Sequence, residues 1–109
     1  MVSYRIFSYD ISKAIIMMYF CIICSVTFVS CDMAMIGQLM KMEVLKKLEA
    51  AHGKNVFRND NLVLSATHTH SGPGGYMQYA MFNFESFGFV EDCFQVTSIS
   101  ICVLDILKV

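Results

Sequence analysis

The sequence predicts an α/β fold containing a strand-helix-strand-helix unit, and three observations predict it. An uncharged apolar run ends at Asp32, apolar residues then recur every fourth position from Ile36 to Leu48, and Leu62-Val63-Leu64 leads into a glycine-rich stretch, SGPGG, at residues 71–75. An apolar strand, an amphipathic helix and a second apolar strand in that order form a parallel pair with a helical crossover. With 109 residues the chain has room for one domain and one modest core.

The first apolar run, AIIMMYFCIICSVTFV from Ala14 to Val29, follows Lys13 and Arg5. That charge order belongs to a signal peptide or signal anchor, which composition favours for part of the run, although the run is short for a membrane span. Phe28-Val29-Ser30 before Cys31 is only weakly similar to a lipoprotein cleavage site. The alternative is that Val26 to Cys31 is a buried β-strand.

The formal net charge of -1 and a charged fraction of 16% supply no basic stripe, so nucleic acid is excluded as a partner. The hydrophobic fraction of 56% and mean hydropathy of +0.55 are raised by the first thirty residues. Five cysteines, Cys21, Cys24, Cys31, Cys93 and Cys102, are odd in number and sit mostly in apolar segments, so they define no disulfide framework. Cys21 and Cys24 form a C-x-x-C with no second ligand pair nearby, which is poor support for zinc or redox chemistry.

The helix is read from Ile36, Met40, Val44 and Leu48, with Gln38, Lys41, Glu43, Lys46 and Lys47 on its other faces. Glu43 and Lys47 can pair at i,i+4, and Gly53 supplies the stop. Methionine at helical spacing is core filling. His52, in the last turn, is expected to be solvated and not a ligand. Asn55 to Asn61 is a polar loop, and Leu62 onward is a buried strand. Tyr76 to Phe87, YMQYAMFNFESF, contains no Gly or Pro and is expected to be a helix packed on both sides and ended by Gly88. Val96 onward is apolar and of ambiguous type.

The chemistry concentrates in Ser65 to Gly75, SATHTHSGPGG. Residues i and i+2 of a strand share a face, so His68 and His70 can reach one site if the extended conformation persists to Ser71. Neutral imidazole suits zinc, but catalytic zinc sites use three protein ligands and an open position. If Val26 to Cys31 runs parallel to Leu62 to Thr67, both strands end on one edge, and Asp32 shares a rim with the two histidines. The Gly72-Pro73-Gly74-Gly75 turn either presents backbone N–H groups to an anion or is simply a tight connection. An H-x-H after a strand also occurs in barrel amidohydrolases and in metallo-β-lactamase-like hydrolases. The latter continue as H-x-H-x-D-H, which Ser71-Gly72-Pro73 does not.

Taken whole, NLVLSATHTHSGPGGYMQYAMFNFESFGFV resembles the neutral ceramidase family, whose members carry a T-H-T-H-S-G-P-G/A-G-Y segment followed by an aromatic stretch and G-F. Val26 to Gln38, VTFVSCDMAMIGQ, and MKMEVLKKLEAAHGKNVFRNDN extend the resemblance, which covers roughly Val26 to Phe94. It implies a partial catalytic domain over residues 26–95, with 1–25 set apart as unrelated or signal-like and 96–109 as a divergent end, and a zinc amidase that cleaves the N-acyl bond of ceramide to sphingosine and a fatty acid. It further implies His68 as a zinc ligand and His70 as a contact to the substrate amide or its oxyanion. A membrane-surface partner and a secreted, cell-surface or membrane-associated location go with that reading. The family's other ligands, a distant histidine, a glutamate and a tyrosine, and its G-D-V-S-P-N serine are not found in this sequence. This chain alone is therefore expected to be inactive. The competing expectations are a small membrane-anchored interaction protein and a different H-x-H zinc amidohydrolase in which Asp32 is the metal carboxylate.

Overall fold

The computed structural model describes residues 2–6, 16–21 and 26–106, with side-chain surroundings for 26–102. Strand β1 is Val2–Ile6, β2 Ile16–Cys21, β3 Val26–Cys31 and β4 Leu62–Ala66; helix α1 is Gln38–His52 and α2 Glu91–Ile106. One sheet holds all four strands in the order β1-β2-β3-β4. β1 and β3 each pair antiparallel with β2, whereas β3 and β4 are parallel, with Thr27 opposite Leu62 and Cys31 opposite Ala66.

The predicted strand-helix-strand-helix order is present as β3, α1, β4 and α2, with the last helix at Glu91–Ile106 and not at the Tyr76 to Phe87 expected for it. Val26–Cys31 is the strand alternative raised for the apolar run, and Ile16–Cys21 is its antiparallel neighbour. Residues 14, 15 and 22–25 of that run, and with them Cys24, lie outside the described residues. Among the described residues, no helix is long and apolar enough to cross a membrane.

Strand period and helix period meet in one core. In β3 Thr27, Val29 and Cys31 are buried while Val26, Phe28 and Ser30 are half-buried, as a period of two requires. Val29, Leu62, Met40, Val44, Leu48, Phe94 and Ile101 share a single apolar cluster. Met40, Val44 and Leu48 are the buried stripe of α1, three of the four positions read from the sequence; Ile36 lies just before the helix and packs on the cluster's edge. Gly53 stops α1, its N–H reaching Glu49 O at 2.9 Å.

α2 lies against α1. Cys102 Sγ sits 3.7 Å from Val44 O, and Lys47 donates to both Glu43 (2.9 Å) and Gln95 (2.7 Å), tying the two helices at their rim. The Lys47 ammonium holds the Glu43 carboxyl below its ordinary range. The ambiguous Val96 segment is thus the body of a helix whose Phe94, Ser98, Ile101 and Cys102 face inward. Cys31 and Cys93 are free thiols. Burial pushes the Cys31 thiol up to about 12, which keeps it protonated and unreactive.

The expected helix over Tyr76–Phe87 is absent. That segment is irregular apart from a 3-10 turn at Ala80–Asn83. Polar side chains there bond the backbone locally and displace the helical ladder: Asn83 Nδ2 donates to Met77 O at 2.6 Å, and Ser86 Oγ lies 3.1 Å from Asn83 O and 2.8 Å from Gly88 O. The segment is also not packed on both sides, since Phe84 is 80% and Phe87 100% exposed.

Leu48 is fully enclosed between α1 and the rest of the core. Leu48→Ala is expected to lower unfolding free energy by about 2–5 kcal/mol, and Met42→Ala, on the exposed face, by no more than about 0.5 kcal/mol. Urea titration followed by circular dichroism measures both.

Candidate functional site

The parallel pairing of β3 and β4 delivers both carboxyl ends to one edge, where Asp32 and Thr67 follow the last paired residues, Cys31 and Ala66. The Thr67 hydroxyl donates to Asp32 Oδ1 at 2.7 Å, and Thr67 N–H reaches Cys31 O at 3.0 Å. His68 N–H then donates to Met33 O at 3.1 Å, and His68 Nδ1 lies 2.9 Å from Ala34 O. The connector between β3 and α1 therefore fastens directly onto the residues that follow β4.

Asp32 and the H-x-H do share a rim. The route differs from the one expected, because the extended conformation ends at Ala66 and His68 has φ 62°. A residue other than glycine in that left-handed region costs roughly 1–3 kcal/mol, and histidine is among the side chains found there more often than most. Strand alternation does not put the two rings together. The turn does, with ring centroids 4.9 Å apart and an edge-on interplanar angle of 83°.

A carbonyl oxygen only accepts, so the bond to Ala34 O requires the proton on His68 Nδ1. The lone pair of the neutral ring is then on Nε2. A histidine ligand is held in this way, with one nitrogen fixed by a carbonyl and the other free for the metal. Both histidines are exposed, and they line a cleft of about 580 Å³ with Ala34, Tyr76, Phe82 and Glu85.

Tyr76, 4% exposed, takes Met35 N–H on its hydroxyl at 3.3 Å. Gln78 Oε1 accepts Leu39 N–H at 3.1 Å and so caps the first turn of α1, whose own N-cap residue is Gly37. A Cβ on Gly37 would stand 2.6 Å from that Gln78 oxygen. The segment after SGPGG thus closes the second side of the same connector.

Of the two readings for the glycine turn, packing has the direct support. Gly75 is buried at φ 85°, its carbonyl accepts Val90 N–H at 2.7 Å, and an added Cβ would lie 2.7 Å from Val90 Cγ2 and 3.0 Å from Ser86 Oγ. Gly74 has open space around it.

His52 is placed elsewhere and is not the solvated residue expected. It is half-buried at the end of α1, edge-on to Phe57 at 5.4 Å, with Nε2 enclosed and unpartnered. Among the described residues, no three His, Cys, Asp or Glu side chains gather that could hold a metal ion. Sequence reasoning missed Thr67, the Ala34 carbonyl, Tyr76 and Glu85. Only Thr67 and Tyr76 carried a signal, as members of the quoted motif; the partners of His68 depend on a contact 34 residues apart.

Residues 8–104 match the family described as neutral/alkaline non-lysosomal ceramidase, N-terminal. The chain is similar to neutral ceramidase of Drosophila melanogaster, 44% identical over 71 residues, which is 65% of this chain and 10% of the relative. It is 45% identical over 67 residues to neutral ceramidase of Pseudomonas aeruginosa, covering 62% of this chain and 10% of the relative. The crystal structure of the Pseudomonas aeruginosa enzyme superposes with a TM-score of 0.67 at 40% identity, over 71% of this chain and 12% of that one. A ceramidase structure complexed with C2 superposes equally well. The chain thus spans about a tenth of the length of the curated relatives it matches.

Gly75→Ala and Gly74→Ala separate a packing requirement from mere loop composition. The first is expected to lose more than about 1 kcal/mol, from strain and overpacking together, and the second to stay within about 0.5 kcal/mol. Thermal melts of the two variants provide the comparison.

Proposed function

We propose, for a chain that belongs to the neutral/alkaline non-lysosomal ceramidase family, that it supplies one rim of a zinc-dependent amidase centre acting on the N-acyl bond of ceramide. The single observation that carries this is the Nδ1 bond of His68 to Ala34 O at 2.9 Å, which leaves Nε2 as a ready donor at a cleft. His68 fits zinc by donor type and tautomer, and it is the residue assigned to hold the ion. Bound there, zinc supplies Lewis acidity toward the amide carbonyl and lowers the pKa of water.

The other roles belong to the chain's own groups. His70, edge-on to His68, is assigned to the substrate amide: a neutral imidazole N–H directed at the carbonyl oxygen stabilises negative charge as it develops there. Met81, Phe82 and Phe84 line the same cleft and are exposed. Side chains of that kind suit the hydrocarbon of a lipid and the surface of a membrane that presents it. A secreted or membrane-associated site of action is consistent with such a partner. Net hydrolysis adds water across the amide and releases sphingosine and a fatty acid.

One histidine donor and a neighbouring ring cannot fix zinc tightly, because affinity rests on a full ligand set. The purified 109-residue chain is therefore expected to leave a fluorescent ceramide uncleaved in the presence of Zn²⁺. Turnover that disappears in His68→Ala would overturn the assigned inactivity. Membrane contact has its own readout: sedimentation with phosphatidylcholine vesicles is expected to fall several-fold in a Phe84→Ser/Phe87→Ser double variant, and unchanged sedimentation removes that partner.

A further inference from the structure

We propose that Asp32 is a positioning residue for His68, acting through Thr67. Asp32 and Thr67 are the first residues beyond the paired ends of β3 and β4, where the regular ladder gives way to the single backbone bond from Thr67 N–H to Cys31 O. Their side chains add a second tie at 2.7 Å. Directly after it come the two bonds that orient His68: its N–H to Met33 O at 3.1 Å, and its Nδ1 to Ala34 O at 2.9 Å.

Ala34 lies in the bend between β3 and α1, outside any regular element. Its carbonyl keeps its place because the connector is tied on both sides, by Thr67 at one end and by Tyr76 and Gln78 at the other. Among these ties, the Asp32 to Thr67 bond is the one made by two side chains, so it can be removed without altering a backbone bond. Carboxylate charge is not required for the task. The hydroxyl needs only an oxygen acceptor in that position, which an asparagine also offers.

This inference rests on the reading of His68 as the zinc donor, but its primary test does not use zinc. The ring tautomer of His68 is read by ¹⁵N imidazole NMR of the full chain at about pH 8.5. Wild type is expected to carry its proton on Nδ1. Asp32→Ala and Thr67→Val are expected to lower that population at least about twofold, whereas Asp32→Asn and Thr67→Ser retain it. Amide dispersion checks that each variant is folded, and Thr67→Val decides the matter should Asp32→Ala not fold. An unchanged Nδ1 tautomer in the folded Ala or Val variant, or an Asn variant as impaired as Ala, overturns the proposal.

Titration with Zn²⁺ alone, followed at the same ring, adds a second readout, with apparent affinity expected to fall about tenfold in Asp32→Ala and to be kept in Asp32→Asn. A wild-type His68 that ignores Zn²⁺ ends the metal reading while leaving the tautomer comparison to decide the role of Asp32.

Discussion

The architecture depends on the fastening of one connector, residues 31–39, to two stretches that follow β4. On one side Cys31 O, Asp32 Oδ1, Met33 O and Ala34 O accept from Thr67 and His68. On the other, the N–H groups of Met35 and Leu39 are taken by Tyr76 and Gln78. A connector that leaves a sheet and enters a helix has unpaired backbone groups at both ends, and leaving them buried and unmet costs free energy comparable to lost hydrogen bonds. Here the partners come from the chain that makes the site. The crossover and the rim are thus held by the same hydrogen bonds.

That fastening accounts for features that look unfavourable one at a time. His68 holds a left-handed backbone, yet its amide, its ring and the preceding Thr67 are all bonded to the connector. Strain of that kind persists only where the surroundings over-determine it. Helix α1 begins at a glycine with no side-chain cap of its own, which weakens a helix start. Gln78 supplies the missing acceptor, and the absence of a Cβ at Gly37 is what lets it approach.

Legibility in the sequence follows the range of the interactions. α1 and β4 were readable because their apolar patterns are local, whereas β3 stood only as the alternative to a signal or anchor; parallel pairing of the strands follows once a helix lies between them. The place of Asp32 beside the histidines came from the same reasoning. The ring orientation of His68 was not readable, because its partner is set by tertiary contact and strand alternation stops two residues earlier, at Ala66. The aromatic stretch after SGPGG was misread for a different reason. Its lack of Gly and Pro permits a helix, but Asn83 and Ser86 satisfy the backbone locally and Phe82, Phe84 and Phe87 stay exposed. His52 was placed in solvent from its position in the last turn of α1, whereas it is half-buried with Phe57 edge-on to its ring.

A site assembled from distant parts of a long chain can still have one edge whose geometry is locally determined. Every bond that orients His68 in this structure starts and ends within residues 31–68, and the cleft wall opposite is anchored to the same connector through Tyr76 and Gln78. Orientation of a donor and completion of a ligand set are therefore separable demands. The first is met by the carbonyls of Met33 and Ala34, in the connector just beyond β3. The second needs further donors, and among the described residues none converge on His68 and His70. On the proposed zinc reading, the described residues hold one oriented donor without the multiplicity that makes metal binding strong, and so its histidine geometry can be studied apart from catalysis.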